Sequence, residues 1–586
     1  MHSGRSPHNL KMHATDYAIV ALYLAVVLIL GRRSKGGAGN QEAFFLASRR
    51  LGKLRQFFFN FGHSTDANTA VSTVSFSYSE GVSGAWLQLQ LIFLNPYYWF
   101  MNVWFRRARL MTTAELFEER LQSRRLAQFY AIFQIGVAII GIAFSNFVTF
   151  KVTSALIEGG PTIPPVLFYA GLVMVVGLYV IMGGLEATVL NQMFQGSLVL
   201  IFSVILLPFG FRALGSSGLH ERLPVRMFEM FAGGSEGEFT IWAVLAIMAV
   251  SIVQINGNII NMGLAGSARN EFAARFGAVA GTYSKRVMIV LWVFVGLIAA
   301  ALHQGGLRLS DPDSAWGTLS RELLGPGFLG VMLVGLLAAN MASIASKTMA
   351  VSALVVRNLY QPNLPRPDDR REVMIGRFAG AAALAASVAA ALAMKETLAV
   401  TKFILTINLP FGAAVLLMFF WRRLTGTAVW WCIALTGALV LVEPLGIFSS
   451  GGHAFSAGGW ILDHAGPISL THGPGGRLAA QFTFDAIFPF VVLIGVSFLT
   501  RAPDREVLDQ FFGRIKTPVG ATPELEEAAL EATRKSPGRF DGGKVFPGSS
   551  WEFNRWDRTD VVGFFLCCAI SLSIVELFRV ALAAVR

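Results

Sequence analysis

The chain has 586 residues, 54% of them hydrophobic and only 14% charged, where an ordinary soluble domain carries about 25% charged residues. Its formal charge of +12 raises nucleic acid as a partner, a possibility that the placement of the charges decides. Cys432, Cys567 and Cys568 all fall inside apolar runs, two of them adjacent, which excludes a disulfide framework and a zinc spacing.

Apolar runs long enough to cross a bilayer recur along the chain and predict an all-α polytopic membrane protein of about fourteen helices. They fall near 16–31, 56–79, 84–104, 126–156, 163–182, 186–211, 240–263, 284–303, 328–358, 372–394, 397–421, 426–448, 481–500 and 560–582. The N-terminus is polar and shows no signal-peptide cleavage pattern. The loop after the first helix holds Arg32, Arg33, Lys35, Arg49, Arg50, Lys53 and Arg55; the one after the third holds Arg106, Arg107, Arg109, Arg120, Arg124 and Arg125. Later gaps of the same parity carry Arg269, Arg275, Lys285 and Arg286, then Arg357, Arg366, Arg370 and Arg371, then Arg422 and Arg423. The gaps between are poor in basic residues, so the odd-numbered loops are expected inside and both termini outside a bacterial-type inner membrane. The positive charge is a topology signal. The expected partners are the lipid bilayer and a small-molecule solute, with no nucleic acid, and the oligomeric state is not legible.

Segments 212–239 and 304–327 are long and read as lids on the outer side. The Gly-rich stretch 451–476 contains His453, His464 and His472, whose irregular spacing reads as a solvated loop rather than a metal site. The inside loop 501–559 contains PELEEAALEATRK, a charged amphipathic helix over Pro523–Lys535. Glu576 and Arg579, three apart on the last helix, read as an ion pair, and Glu396 and Lys402 as interface anchors. The expected division is 1–55, a tail with the first helix and a basic loop; 56–421, a transport core; 422–500, two further helices; 501–559, the inside loop; and 560–586, the last helix.

Two spans are interrupted by polar residues. The second holds His63, Ser64, Thr65, Asp66, Asn68 and Thr69 at its middle, and the seventh holds Gln254, Asn256, Asn258 and Asn261. Such backbone survives at membrane depth only where protein or a cavity covers it. Inverted-repeat transporters place discontinuous helices at corresponding positions of their two halves, and spans two and seven lie five apart. On the ninth span, at about 100° per residue, Asn340, Ser343 and Lys347 form one narrow stripe. A lysine there costs roughly 2.5–3.5 kcal/mol, so it must face a partner or a wet cavity. The cluster His63, Ser64 and Asp66 is too local for a hydrolytic triad, and no enzyme or enzymatic cofactor is expected.

Four segments resemble the sodium:solute symporter family. Gly183–Gln195, preceded by Tyr179, is similar to its signature of a glycine pair, Ala-Val, Thr-Asp and Gln; MTTAELFEERLQSRRL at 111–126 is similar to its cytoplasmic Thr-Thr-x-x-Glu-Phe segment. LAANMASIASKTM resembles the stretch holding two sodium-ligating serines, and NLPFGAAVLLMFFWRRLTGTA at 408–428 the span ending in Phe-Trp-Lys-Arg. The resemblance implies a LeuT-type five-plus-five inverted-repeat core over 56–421, alternating access, and solute uptake coupled to Na+. It also implies an ion site between the second and ninth helices, with Asp66, Asn68, Val71, Gln192, Asn340, Ser343 and Lys347 as candidates. The solute site would lie at mid-membrane, with Asn68, Thr69, Gln90, Asn256, Asn258 and Asn261 as candidates.

The chain departs from the family at this ion site. The signature Thr-Asp pair stands as Asn191 and Gln192, the first serine as Ala342, and Lys347 lies one turn beyond Ser343. The lysine either replaces the sodium ion, paired with Asp66, or snorkels to the inner interface. The expected function is a sodium-driven symporter of a small polar organic solute. The alternatives are a sodium-independent or H+-coupled carrier on the same fold, and a transporter-like sensor.

Overall fold

The computed structural model describes residues 12–585 apart from 34–39, 159–161, 216–217, 233–236, 304–308, 310, 364–367, 395–399, 401–403, 405, 442–448, 451–452, 455–456 and 465–472. Glu396, Lys402 and His472 lie outside the described residues. Among the described residues the regular structure is helical apart from a two-residue antiparallel pair, Ser449–Ser450 with His453–Ala454, and three isolated bridges.

Helix α1 (Ala14–Arg33) precedes the core. The second span is two helices, α2 (Lys53–Ser64) and α3 (Ala67–Glu80), and an irregular run of short turns leads to α4 (Asn95–Ala108). After α5 (Thr113–Leu121), closed at its start by a Thr112–Glu115 capping box, comes the long α6 (Arg124–Leu156). The expected helices 163–182 and 186–211 form one element, α7 (Pro165–Leu214). Gly184 bends it with φ 62° and ψ −149°, a conformation that only glycine adopts readily, so the two passes meet with no loop between them.

The seventh span is likewise two helices, α8 (Ile241–Asn256) and α9 (Asn261–Gly266). Helix α10 (Glu271–His303) begins well before the expected 284, and α11 (Phe328–Leu354) continues as a π-helical turn to Tyr360. The chain goes on through α12 (Asp369–Ala393), α13 (Leu409–Phe420), α14 (Gly426–Thr436), α15 (Pro474–Leu499), α16 (Arg505–Lys516), α17 (Pro523–Lys535) and α18 (Arg558–Val585). Glu576 and Arg579 pair at 2.6 Å on α18.

Eight helices among the described residues are individually long and apolar enough to cross a bilayer. The expected fourteen do not appear one for one, because two spans are broken, two are fused and three apolar helices are short. The apolar window containing α11 is 89% buried and that of α10 72%, against 22% for α1 and α18. So α10 and α11 form the centre, and the terminal helices form the rim.

Glycines let the central helices approach closely, as expected where lipid supplies no hydrophobic drive between helices. A Cβ on Gly281 of α10 would lie 2.8 Å from the Phe61 nitrogen of α2, and one on Gly296 would lie 2.6 Å from the Ser77 Cβ of α3. A Cβ on Gly335 of α11 would lie 2.2 Å from the Phe202 Cβ of α7.

In the two expected lids, the described residues include short turns at Leu219–Arg222 and Val225–Phe228 and a helix at Ala315–Leu323. They pack near the far end of α3. Trp86 Nε1 donates to Met230 O at 2.5 Å, and Leu309 N to Tyr78 Oη at 3.2 Å. Among the described residues, no three His, Cys, Asp or Glu side chains gather as a metal site.

Candidate functional site

The first break follows from Gly62-His63-Ser64-Thr65-Asp66, short polar residues whose side chains compete with helical hydrogen bonds. Asp66 takes an extended conformation (φ −98°, ψ 163°) and becomes the N-cap of α3. Its Oδ1 accepts from Thr69 N at 2.9 Å and from Thr69 Oγ1 at 2.7 Å. The carboxylate thus sits on the positive end of a helix, which accounts for half of what a charge at this depth requires.

The other half is cationic. Lys347 of α11 reaches across so that its Nζ lies 3.9 Å from Asp66 Oδ2. Its stem passes Gly141 of α6, where a Cβ would be 3.8 Å from the ammonium. A second ammonium stands on the opposite side. Lys285 of α10 donates to the free carbonyl of Ser64, at the C-terminal end of α2, and to Thr69 Oγ1 at 3.2 Å. Helix ends of opposite sign therefore meet at the break, the carbonyl end holding a cation and the N–H end an anion. Lys285 and Arg286, read in the sequence as loop charges, are 6% and 2% exposed inside α10. The expected span edge at 284 fell beside them, so they were counted with the loop, whereas α10 begins at Glu271.

The other expected ion-site residues are placed around this centre in different ways. Gln192 of α7 packs on Gly62 and donates to Ala342 O at 2.9 Å and Ser346 Oγ at 2.7 Å, tying α7 to α11. Asn340 accepts from Ser145 Oγ at 2.6 Å and donates to Asn146 Oδ1 at 3.0 Å, which fastens α11 to α6. Val71 is buried in the core. The buried atoms Ser343 Oγ, Thr65 Oγ1, Asn68 Oδ1 and His63 Nδ1 have no hydrogen-bond partner among the described residues. Each of these four atoms can still take a hydrogen bond.

At the second break the asparagines hold backbone. Asn256 accepts from Tyr97 Oη and donates to Ile252 O at 2.7 Å, and Asn261 Nδ2 donates to Ile255 O. Asn258 Oδ1 accepts from Ile260 N at 3.2 Å, and Gln90 Nε2 donates to Ser251 Oγ at 3.1 Å. The carbonyl of Gly257, at the C-terminal end of α8, accepts from Tyr130 Oη at 2.9 Å and from Gln134 Nε2 at 3.0 Å, and Gln134 also reaches Asn408 Oδ1 at 2.7 Å. Tyr130, Gln134 and Asn408 were not singled out in the sequence. Gln134 lies among apolar residues of a long span, a signal of the same kind as Lys347, though weaker because an amide is cheaper to bury than a charge. The structure thus brings Asp66, Thr69 and Lys347 together and leaves Gln90, Asn256, Asn258 and Asn261 around the other break.

Two discontinuous helices, five passes apart, with a buried charged helix against the first, define a secondary active transporter of the inverted-repeat type. A profile of the sodium:solute symporter family matches residues 44–435, well over half of the chain, and the chain belongs to that family. The high-affinity proline transporter PutP of Bacillus subtilis is 26% identical over 404 residues, covering 63% of this chain and 74% of that protein. Sodium/glucose cotransporter 1 of Oryctolagus cuniculus is 21% identical over 490 residues, covering 72% and 70%. A solved Na+-coupled sialic acid symporter, substrate-bound and outward-open, shares the fold with a TM-score of 0.67 at 13% identity, covering 84% of this chain and 99% of that one. The protein is a multi-pass symporter of the LeuT-type fold and not an enzyme.

Proposed function

We propose that the chain moves a small polar organic solute by alternating access, that Lys347 takes the place of a bound sodium ion, and that a proton is the coupling ion. The observation that carries the reading is the Asp66–Lys347 pair at 3.9 Å, with Lys285 on the Ser64 carbonyl. A sodium ion at this break would draw on those same oxygens. A tethered ammonium supplies the charge that a bound ion would bring, and unlike an ion it can lose a proton. The titratable groups around it are Asp66 and His63 of the first break and Lys285 of α10. The distribution of basic loops supports a plasma-membrane protein with loop 501–559 inside and both termini outside.

A sodium-driven version is favoured by one observation, the buried Ser343 Oγ, which has no hydrogen-bond partner among the described residues. The test is thermal unfolding of the detergent-purified protein against sugars, amino acids, carboxylates and nucleosides, in sodium and in choline buffer at two pH values. A solute-dependent shift equal in the two salts but changing with pH is expected. A shift that appears only in sodium would overturn the lysine reading and leave the carrier intact. In proteoliposomes, Lys347→Ala is expected to change the ion dependence of uptake, whereas a snorkelling lysine would leave it untouched.

A further inference from the structure

A cavity of about 740 Å³ lies beside loop 501–559, with Tyr97, the hydrogen-bond partner of Asn256, in its wall. Its walls come from the ends of α4, α13 and α15 and from the chain just before α18. Aromatic rings dominate it. Trp104 meets Phe420 edge to face with centroids 4.5 Å apart, Phe420 stacks on Phe553 at 4.8 Å, and Phe100 lies 4.8 Å from Trp556. Phe490 and Ile494 of the apolar helix α15 close the deep side. Its lining is also charged, with Arg107, Arg275, Lys516 and Arg555 against Glu552, Asp557 and Asp560.

Most of those charges are spoken for. Arg107 pairs with Glu271 at 2.7 Å, Arg275 with Asp560 at 2.7 Å, and Lys516 with Glu552. Asp557 caps α18 by accepting from Asp560 N at 2.7 Å. Arg555 is exposed and, among the described residues, has no ion-pair partner. One free cation therefore stands at the mouth of an aromatic slot.

We propose that this cavity binds one anionic phospholipid, its acyl chain among Phe100, Trp104, Phe420 and Phe490 and its phosphate against Arg555. Three features select that occupant over a soluble ligand. The slot runs from membrane-spanning helices to a polar loop, so it crosses the level at which a headgroup meets its chains. Tryptophan and tyrosine concentrate there, as they do at bilayer interfaces. Arg555, exposed and without an ion-pair partner among the described residues, stands on the basic face, where pockets between membrane helices meet anionic headgroups. Occupation would tie loop 501–559 to α4 and α15 through the lipid.

The test is native mass spectrometry of the full chain released from nanodiscs of phosphatidylglycerol and phosphatidylcholine in equal parts. The expected result is one retained lipid per chain, with phosphatidylglycerol preferred. Arg555→Gln is expected to keep the lipid but lose the headgroup preference. Ile494→Trp, and separately Leu416→Trp, would fill the slot and are expected to abolish retention while solute-dependent thermal shifts persist. No retained lipid in the wild type, or retention in both filled variants equal to that of the wild type, would overturn the proposal. So would a stabilisation by inorganic phosphate alone that matches the lipid's, since that would leave the aromatic slot without a role.

Discussion

Asp66 and Lys347 are each expensive at membrane depth, and their proximity makes each the other's compensation. Removing one partner of such a pair leaves an uncompensated charge, which costs about 3 kcal/mol or more, whereas removing both is often neutral. Asp66→Asn is therefore expected to lower the unfolding midpoint of the purified protein markedly, and Asp66→Asn with Lys347→Met to recover most of it. Additive losses in that double-mutant cycle would show that the two do not interact. Lys347 was legible because a charge in an apolar run is improbable on any bland account. Asp66 was half legible, since its position in a span was seen but the Asp66-x-x-Thr69 capping pattern was not. Lys285 was hidden at a hydropathy edge. A better signal was available in the glycines at 277, 281 and 296, which lie against α2 and α3 and share the helix stripe of Lys285.

Among the elements, the two breaks were readable as polar interruptions, but the devices that fix them are tertiary. Gly412 of α13 illustrates this, because a Cβ there would stand 2.0 Å from Val253 O of α8. Gly412→Ala must push α13 off the second break and is expected to cost about 1–3 kcal/mol, read as a lower thermal midpoint with weakened solute stabilisation. Nothing local in the sequence marks that glycine out from its neighbours. Loop 501–559 was read as plain, apart from its amphipathic helix, and it is in fact laced to the transport helices. Arg109, in a left-handed conformation at φ 61°, donates to Glu526 Oε1 at 2.6 Å and to the carbonyls of Thr517 and Pro518 at 3.1 and 3.0 Å. Arg514 pairs with Glu119, and Val519 N donates to Glu271 Oε1 at 2.9 Å.

Glu552 is the loop's hub, receiving Arg422, Lys516 and Lys544. Burial opposes its charge, but these three cations outweigh burial and hold its carboxyl below the ordinary 4.5. Its stabilisation is therefore full above that value and is lost as the pH falls through the lower folded value. Hydrogen exchange across 505–555 is expected to accelerate on such acidification in the wild type. In Glu552→Gln the same segment is expected to exchange fast at neutral pH already, with little further change on acidification.

Across the whole molecule, the loop joins the end of α4, the start of α10 and the end of α13. Unhooking it should ease opening on the basic face. In a background lacking the native cysteines, a thiol at Met349→Cys, which lines a cavity of about 30 Å³ beside α9, is expected to label faster when Arg109→Ala is added. An unchanged rate would mean that the loop is a passenger. The family and the membrane class were legible in the sequence because they rest on many residues at once. The loop's embrace was not, because it depends on arginines that a topology count treats as interchangeable. The junction at Gly184 has a further consequence, for how the protein is made. With no residues between them, the two halves of α7 leave the ribosome as one apolar ribbon of 50 residues carrying little charge. With no polar loop to separate them, the two halves reach the bilayer as one continuous apolar stretch bent at that glycine.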